Sequence, residues 1–541
     1  MRHSTTKRQA RFATIAAVTL ALVVGACGDK KSDDSATVTT DAATEDTATD
    51  DTTGGTETET TEAAAPVVTA PPESEFAPAF GGKIVIAGEA ETANPWTPAN
   101  MNCDSFCQMR ARTFYDPLIV VNDDLEVSPY LAESVVANDD STEFTITIRQ
   151  GITFHDGTPL DADAVMDNIN RSFTSLLIGA AVKDVAKNED GSIKMEKIDD
   201  STFKMFTGLD GDPNSPLPWP LFPYYLGGQG GLIASPTWLA EVDAGGDPTK
   251  AVGTGPFMFD SYAPGDKMVV KRNPDYWVSD ENGDALPYLD EIEFRVIPDS
   301  QVRSEALKSG DVDLISTSDS LVVGTLADEG EFGYVNQDQY SETNYLLLNL
   351  TKPYLADQSV RCALTQAIDK ADLVNIVTSG YGTVSNQMFS PGQEGYLEGD
   401  NGTPPYDPEA AAAAIADWEA ANGDLAINFS VTPTASNLAV ANYLADAWGQ
   451  VGVTLNIDQI EQSKLINNAL FGDPAFDAFG WRNHAGLFVD SQYYWWDSSS
   501  AADPGQLALN FGRLRDPEID DLLAKSRSES DPDVRRGYAE D

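Results

Sequence analysis

Hydrophobic and polar positions follow two different periods from about residue 81 onward. Residues 143–148, EFTITI, alternate apolar and polar side chains, which predicts a strand with one covered face. The stretch that starts at Asp161 repeats apolar residues at helical spacing up to Phe173, and Asp161 is a favourable N-cap residue. This segment is therefore predicted to form a strand, a turn and a capped helix.

Similar elements recur over the rest of the chain. The sequence DPE at 407–409 and again at 516–518 combines an N-cap, a proline at the first helical position and an acid in the first turn. Strand-like runs such as AINFSV and VTLNI lie between these helices, and a hairpin is predicted at 253–272. This alternation predicts α/β lobes, and 541 residues exceed what one hydrophobic core usually organises.

The first 26 residues have the layout of a secretory signal peptide, with basic residues followed by an apolar run at 13–24 that is too short to span a bilayer. Small residues directly before Cys27 resemble the lipobox of bacterial lipoproteins, which implies cleavage there and a lipid on Cys27. The alternative is an ordinary signal with a chance cysteine. Residues 27–80 are rich in Thr, Asp, Glu and Ala, which predicts a disordered acidic tether.

The charge balance narrows the class of partners. The chain carries 86 acidic and 34 basic side chains, a formal net charge of -52. A surface this negative repels nucleic-acid phosphates and anionic lipid headgroups, which excludes nucleic acid as a partner. The same charge suits solubility in a salty medium, where screening relieves the self-repulsion.

Several segments resemble, in the same order, family 5 of the extracytoplasmic solute-binding proteins, the peptide-binding receptors of ABC importers. They are ITFHDGTPLDADAVMDNINR at 152–171, VGTGPFMFDSYAPGDKMVVKRNPDYW at 252–277, and the stretches at 288–315 and 345–369. The resemblance runs from about residue 81 to the last residue. It implies an α/β protein with the two-lobed periplasmic-binding-protein-like fold, class II and large cluster C type, with the ligand cleft between the lobes.

The resemblance also divides the folded part of the chain. Residues 81–300 are expected to form lobe I with an inserted subdomain, and residues 301–541 to form lobe II. Family members continue past the last predicted helix with a strand that returns to the first lobe. Because the chain stops at Asp541, we expect this return to be missing and the sequence to be incomplete.

The function that the family implies is a lipid-anchored, extracytoplasmic substrate-binding protein of an ABC transporter. It would capture a peptide or peptide-like solute by lobe closure and deliver it to the permease. The implied partners are the solute, the permease and ATPase subunits, and the cell membrane through the lipid anchor only. The protein is expected to be a monomer without a cofactor and not an enzyme. The alternative is an exported binding protein that acts in sensing or surface interaction without transport.

The pair His155-Asp156 raises the question of catalysis. A catalytic triad needs a nucleophile and an oriented base, and the chain holds 3 histidines, of which His3 leaves with the signal peptide. An aspartate before a glycine is ordinary turn chemistry, so both side chains are expected to hydrogen-bond the turn. The resemblance agrees, because this motif is architectural in the family.

Ligand-contacting residues are expected around the segment FDAFGWRNHAGLFVDSQYYWW at 476–496. In dipeptide and oligopeptide binders of the family, the similar segment carries a tryptophan and, three residues later, an aspartate that pairs with the peptide's α-amine. Trp481 matches the tryptophan, but His484 replaces the acid. Either Asp490 substitutes for this acid, or the ligand is a blocked or modified peptide, an opine-like compound or a saccharide.

Arg482 offers a cation for an anionic group, and the neighbouring aromatic residues offer flat apolar faces. In the first lobe, tryptophans in loops are the candidates. For the aromatic residues, the alternative is packing within a core or between the lobes. The predicted ligand-binding residues are Trp96, Trp219, Trp481, Arg482, Asn483, His484, Asp490 and Tyr494.

The remaining cysteines lie outside the cytoplasm if export is correct. Cys103 and Cys107 are four residues apart, a spacing compatible with a disulfide, with two unpaired thiols as the alternative. A metal site is not expected, because no second pair of ligands follows nearby. Cys362 would then be left over as a small packing residue.

Overall fold

The computed structural model describes residues 79–90, 96–101, 103–122, 126–334, 342–399, 401–472, 476–482, 486 and 488–541, and the backbone of 18–21. Cys27 and nearly all of the predicted signal peptide and tether lie outside these residues. Within the described part, no helix has the length and apolar character needed to cross a bilayer.

The described strands form four sheets. The strands are β1 (Val18–Ala21), β2 (Lys83–Gly88), β3 (Ile119–Val121), β4 (Val127–Pro129), β5 (Ala132–Ala137), β6 (Glu143–Ile148), β7 (Met195–Lys197), β8 (Thr202–Phe206), β9 (Phe257–Ala263), β10 (Lys267–Arg272), β11 (Glu291–Val296), β12 (Leu314–Ile315), β13 (Thr343–Leu348), β14 (Gly382–Ser385), β15 (Ala426–Val431), β16 (Thr454–Gln459) and β17 (Ala478–Arg482).

Helices cover these sheets and connect their strands. They are α1 (Ser105–Phe114), α2 (Ala162–Phe173), α3 (Leu176–Ala181), α4 (Pro236–Asp243), α5 (Ser300–Ser309), α6 (Ser320–Glu329), α7 (Pro353–Ala356), α8 (Gln358–Gln366), α9 (Lys370–Thr378), α10 (Pro408–Asn422), α11 (Ala435–Gln450), α12 (Gln462–Phe471), α13 (Tyr493–Trp496), α14 (Pro517–Ser528) and α15 (Pro532–Glu540).

The first lobe contains a five-stranded sheet of order β12-β2-β11-β10-β9 and a four-stranded antiparallel sheet of order β5-β6-β8-β7. The prediction for residues 143–173 is confirmed. Strand β6 buries Phe144, Ile146 and Ile148 against the apolar face of α2. Helix α2 begins after Asp161, whose side chain accepts a hydrogen bond from the Ala164 N–H.

The second lobe is built on a six-stranded sheet of order β14-β1-β13-β17-β15-β16, whose strand β1 lies in the predicted signal peptide, so cleavage before Cys27 would leave β13-β17-β15-β16 as the paired strands. Its main core joins this sheet to α8, α10 and α11 through residues such as Leu364, Ile415 and Trp448. Both DPE motifs begin helices as predicted, because Asp407 caps α10 and Asp516 caps α14.

The predicted lobe boundary at 300/301 stays a prediction, although the first-lobe sheet reaches beyond residue 301. Leu314 and Ile315 form β12, which pairs in parallel with β2 and so extends the first-lobe sheet. After β12 the chain crosses at 316–319, and α6 then places Gly324 against the ring of Tyr381 near β14. A two-residue parallel strand such as β12 acquires its identity only from its partner, and β2 lies more than 200 residues away in the chain.

Arg303 anchors this crossing. Its guanidinium is buried and donates to Thr317 Oγ1 at 2.9 Å and to Glu89 Oε1 at 3.2 Å. Glu89, directly after β2, also accepts from the Ser318 hydroxyl at 2.9 Å and from the Ser318 N–H. One end of the crossing segment is thereby attached to the first-lobe sheet.

The His155-Asp156 motif joins two loops of the first lobe. His155 Nδ1 accepts from the Gly253 N–H at 3.4 Å, and Nε2 lies 2.9 Å from the Gly255 carbonyl, so the proton resides on Nε2. Burial lowers the pKa of His155, which keeps the ring neutral. Asp156 accepts from the Thr158 N–H and from the Ser235 hydroxyl. The contacts are those of an architectural motif.

Candidate functional site at the lobe interface

An arginine of the second lobe binds an aspartate of the first where the lobes meet. Arg527 Nη1 lies 2.5 Å from Asp184 Oδ2, and Arg527 Nε lies 2.6 Å from Asp490 Oδ1. Arg527 is 1% exposed, Asp184 0% and Asp490 2%. The three charged groups are therefore removed from water together; Arg527 balances one of the two carboxylate charges, and neutral donors such as Trp219 Nε1 and the Tyr225 hydroxyl help to stabilise the other.

Aromatic side chains enclose this charged group. The Arg527 guanidinium carbon lies 4.2 Å from the ring centroid of Trp219 and 3.8 Å from that of Tyr493, a cation–π arrangement on two sides. Asp490 Oδ2 accepts from Trp219 Nε1 at 2.9 Å and from the Tyr225 hydroxyl at 3.0 Å. Asp490 thus binds groups from both lobes.

The electrostatic surroundings keep Arg527 protonated and the Tyr225 phenol neutral. Burial alone lowers the pKa of Arg527, but Asp490, Tyr225 and Asp184 outweigh it, and the net pKa is raised above its ordinary value. Burial, reinforced by the Asp490 charge, raises the pKa of Tyr225 well above its usual range. The guanidinium therefore stays charged and the phenol stays a hydrogen-bond donor throughout the physiological pH range.

Further contacts between the lobes are polar or aromatic. Lys183 Nζ lies 2.6 Å from Ser499 Oγ and 3.6 Å from Asp497 Oδ1. The rings of Tyr224 and Phe488 meet edge-on with centroids 4.7 Å apart. In the described part of the chain, each buried hydrophobic cluster belongs to one lobe, and Phe488 packs across against the first-lobe cluster. The interface resembles a separable contact more than a shared core.

Trp481 and Tyr494 belong to one aromatic group beside this interface. Trp481, on β17, is half-buried and packs against Phe511 and Trp495 at centroid distances of 5.3 and 6.5 Å. Tyr494 packs against Trp495 at 5.0 Å, and burial raises its pKa to about 12. Arg482, at the end of β17, is half-exposed and binds Glu342 at 3.2 Å.

Two other predicted ligand-binding residues, Trp96 and Trp219, are buried. Trp96 is 1% exposed and packs between Phe114 and Tyr262 in a first-lobe core. Trp219 is buried completely, and its indole N–H is already bound to Asp490. Both indoles therefore pack inside the protein, and ligand contact by Trp96 and Trp219 stays a prediction.

Asp490 also differs from the prediction. Its carboxylate already accepts from Arg527, Trp219 and Tyr225, so it is not a free acid that waits for a ligand's ammonium group. Asn483 and His484 lie outside the described residues. Arg527, Asp184 and Tyr225 escaped the sequence reasoning, since no local pattern marks an ion pair between residues 343 positions apart.

Two cysteines of the first lobe are bridged. Cys103 and Cys107 form a disulfide at the start of α1, with their Cα atoms 5.0 Å apart. Within the described ranges, no group of three or more His, Cys, Asp or Glu side chains is arranged to hold a metal ion.

A cavity of about 300 Å³ lies within the first lobe, between residues 97–100, α2 and α4. Arg171 and Asp243 on its wall bind each other at 2.8 Å. None of its lining residues takes part in the Arg527 contacts, so the cavity is separate from the interface.

Comparisons with known proteins agree with this architecture. A chain of 28% identity over 319 residues is the glutathione-binding protein GsiB of Salmonella paratyphi A, and the match spans 58% of this chain and 57% of that relative. Helicobacter pylori DppA, solved with the peptide STSA, superposes with a TM-score of 0.71 at 21% identity, over 85% of this chain and 90% of DppA.

A second solved structure is AgaA of A. tumefacien R10 with agropinic acid, with a TM-score of 0.69, 23% identity, and coverage of 85% of this chain and 88% of AgaA. These superpositions confirm the predicted α/β periplasmic-binding-protein fold. The family model of the bacterial extracellular solute-binding proteins, family 5 Middle, matches residues 126–505, more than two thirds of the chain. The chain therefore belongs to the family 5 bacterial extracellular solute-binding proteins, which are receptors that bind solutes and not enzymes.

Proposed function

We propose that this protein captures a peptide or peptide-like solute between its two lobes and delivers it to the permease of an ABC importer. It acts as a monomer outside the cytoplasm, held to the cell membrane by a lipid on Cys27. The observation that carries the proposal is the ion pair of Arg527 with Asp184, which joins the lobes through groups that water can rehydrate when they part. A solute that contacts both lobes stabilises the closed state and so shifts the population toward it.

The solute chemistry follows from what the interface offers. The half-buried ring of Trp481 provides an apolar face, whereas Arg482, the next residue of β17, points to the opposite face of the sheet and is paired with Glu342. The carboxylate of Asp490 is already bound to three donors, so it does not serve a free α-amine. Among the relatives, GsiB is named for glutathione, DppA was solved with a peptide and AgaA with agropinic acid. We infer a peptide-like compound with an apolar group and a modified or blocked amino end.

The test begins with purification of the chain without denaturation and identification of the bound solute by native mass spectrometry. Replacement of Trp481 with alanine is expected to weaken binding of that solute at least about tenfold, since it removes a large apolar contact. Trp418→Ala is a matched control, because Trp418 lies on α10 and packs against the main core of the second lobe. Recovery of a plain dipeptide with free termini, or equal loss in both variants, would refute the proposed site.

The lipid anchor has a separate test. Mass spectrometry of the membrane-extracted protein is expected to show a lipid-modified N-terminal cysteine. Cys27→Ser is expected to abolish the modification and release the protein from membranes, whereas Cys103→Ser, which removes a cysteine of the described disulfide, retains it. An unmodified protein in the wild-type membrane fraction argues against the anchor while leaving solute capture intact.

A further inference from the structure

Arg527 and Asp184 belong to parts of the molecule that have separate cores. Asp184 precedes Val185, which is buried in the first-lobe cluster, and Asp184 Oδ1 accepts from the Asp210 N–H at 2.8 Å. Arg527 lies on α14, whose Leu523 packs with residues of the second lobe. The ion pair is therefore a link between the lobes and is not part of the internal core of either.

We propose that Arg527 is the latch of the closed state, a positioning residue whose ion pair with Asp184 favours closure through protein groups alone. This inference rests on the proposed function, because it concerns how the lobes close. When the lobes part, both charges regain water. When the lobes meet, each charge compensates the burial of the other, and Asp490 and the two aromatic rings complete the surroundings of the guanidinium.

Asp490 connects the Arg527 ion pair with the chain segment that follows Trp481. It lies nine positions after Trp481 in the chain and binds Arg527 in its own lobe, while it also accepts from Trp219 and Tyr225 of the first lobe. The segment between β17 and α13 is thereby held to the first lobe by the same charged group. Closure and the position of this segment are coupled through Arg527.

Removal of one partner should penalise the closed state selectively. Arg527→Met leaves Asp184 and Asp490 buried in the closed state without their cation, and Asp184→Asn removes the charged contact between the lobes while Arg527 keeps Asp490; in the open state the exposed charges are hydrated. Asp184→Asn and Arg527→Met are each expected to lower the closed-to-open ratio at least about tenfold. Since both variants break the same contact, the double variant should lower the ratio little further than either single variant.

The experiment is small-angle X-ray scattering on the intact chain, freed of solute by unfolding in guanidinium chloride and refolding. The expected result is a larger radius of gyration for Asp184→Asn and Arg527→Met than for the wild type. Arg535→Met and Glu394→Gln are matched controls, because this buried pair at 2.8 Å has both partners in the second lobe. The controls are expected to scatter like the wild type.

Three results would overturn the latch: unchanged scattering in Asp184→Asn, equal expansion in the controls, or a solute-free wild type that is already as open as the variants. If Arg527→Met fails to fold, Asp184→Asn decides the question, since its change lies in the other lobe. The measurement uses no solute, so a failed latch leaves solute capture standing. Conversely, a protein that captures no solute can still show the latch.

Discussion

Asp116 shows how burial decides the charge of a single residue. It is 3% exposed and accepts hydrogen bonds from Trp277 Nε1 and the Thr254 hydroxyl, both at 3.0 Å, and from the Tyr276 hydroxyl at 3.2 Å. Burial raises its pKa to about 6, although these hydrogen bonds and Arg112 act in the opposite direction. Desolvation therefore outweighs three donors at this position.

A pH dependence of stability follows. Because the folded pKa of Asp116 lies above its unfolded value of 3.8, the folded state binds the extra proton. Its contribution to the free energy of unfolding is full below about pH 4 and is lost as the pH rises through about 6, a change of roughly 3 kcal/mol. Asp116→Asn should lack this loss, so the variant gains stability relative to the wild type from about pH 4 to about pH 7.

Chemical denaturation across this pH range measures the difference. Asp163→Asn is a suitable control, because Asp163 lies in the first turn of α2 and its side chain is largely exposed. A constant difference between Asp116→Asn and the wild type at all pH values would contradict the raised pKa.

The candidate site shows the limit of inference from single residues. The sequence identified Trp481 and Tyr494, which lie together around Trp495. It also suggested Trp96 and Trp219, whose indoles face the first-lobe core. An indole in a proline-rich loop has the same sequence signature whether the loop folds inward or faces solvent, so only packing separates the two cases.

At the scale of elements, local sequence signals were sufficient to predict where helices begin. The N-cap at Asp407 accepts from the Ala410 N–H at 3.0 Å, as its DPE motif predicts. Local signals did not predict that β12 belongs to the first-lobe sheet, because β12 is a strand only through its pairing with β2. Local chemistry encodes where a helix begins, whereas a short parallel strand depends on a distant partner.

The cap on α10 can be tested directly. Asp407→Ala is expected to destabilise the second lobe by about 1 kcal/mol, since the first-turn N–H groups lose their acceptor. Asp417→Ala, an exposed change within the same helix, should be neutral or slightly stabilising because alanine has the higher helix propensity. Denaturant unfolding of both variants provides the comparison, and equal effects would rule out the capping contribution.

At the scale of the whole molecule, charge is the dominant property. A formal net charge of -52 creates self-repulsion that a compact state concentrates more than an unfolded chain does. The few described ion pairs that are deeply buried, such as Arg527 with Asp184 and Arg535 with Glu394, are protected from screening. Added salt should therefore weaken the repulsion between the negative charges without breaking these buried ion pairs.

We expect the Tm to rise with NaCl between 0.1 and 1 M, as the screening length falls from about 10 Å to about 3 Å. Differential scanning calorimetry measures this, with choline chloride as a second salt to separate screening from ion-specific effects. A Tm that falls with both salts would show that exposed ion pairs contribute more than net repulsion.

The sequence by itself determined the alternation of elements, the capped helices, the acidic character and the family resemblance, because each depends on residues close together in the chain or on composition. The tertiary structure alone decided which aromatic side chains are buried, that Asp490 is already bound, and that Arg527 meets Asp184 across the lobes. These outcomes depend on contacts between residues hundreds of positions apart. Such contacts form only when the whole chain has folded, so no local pattern specifies them.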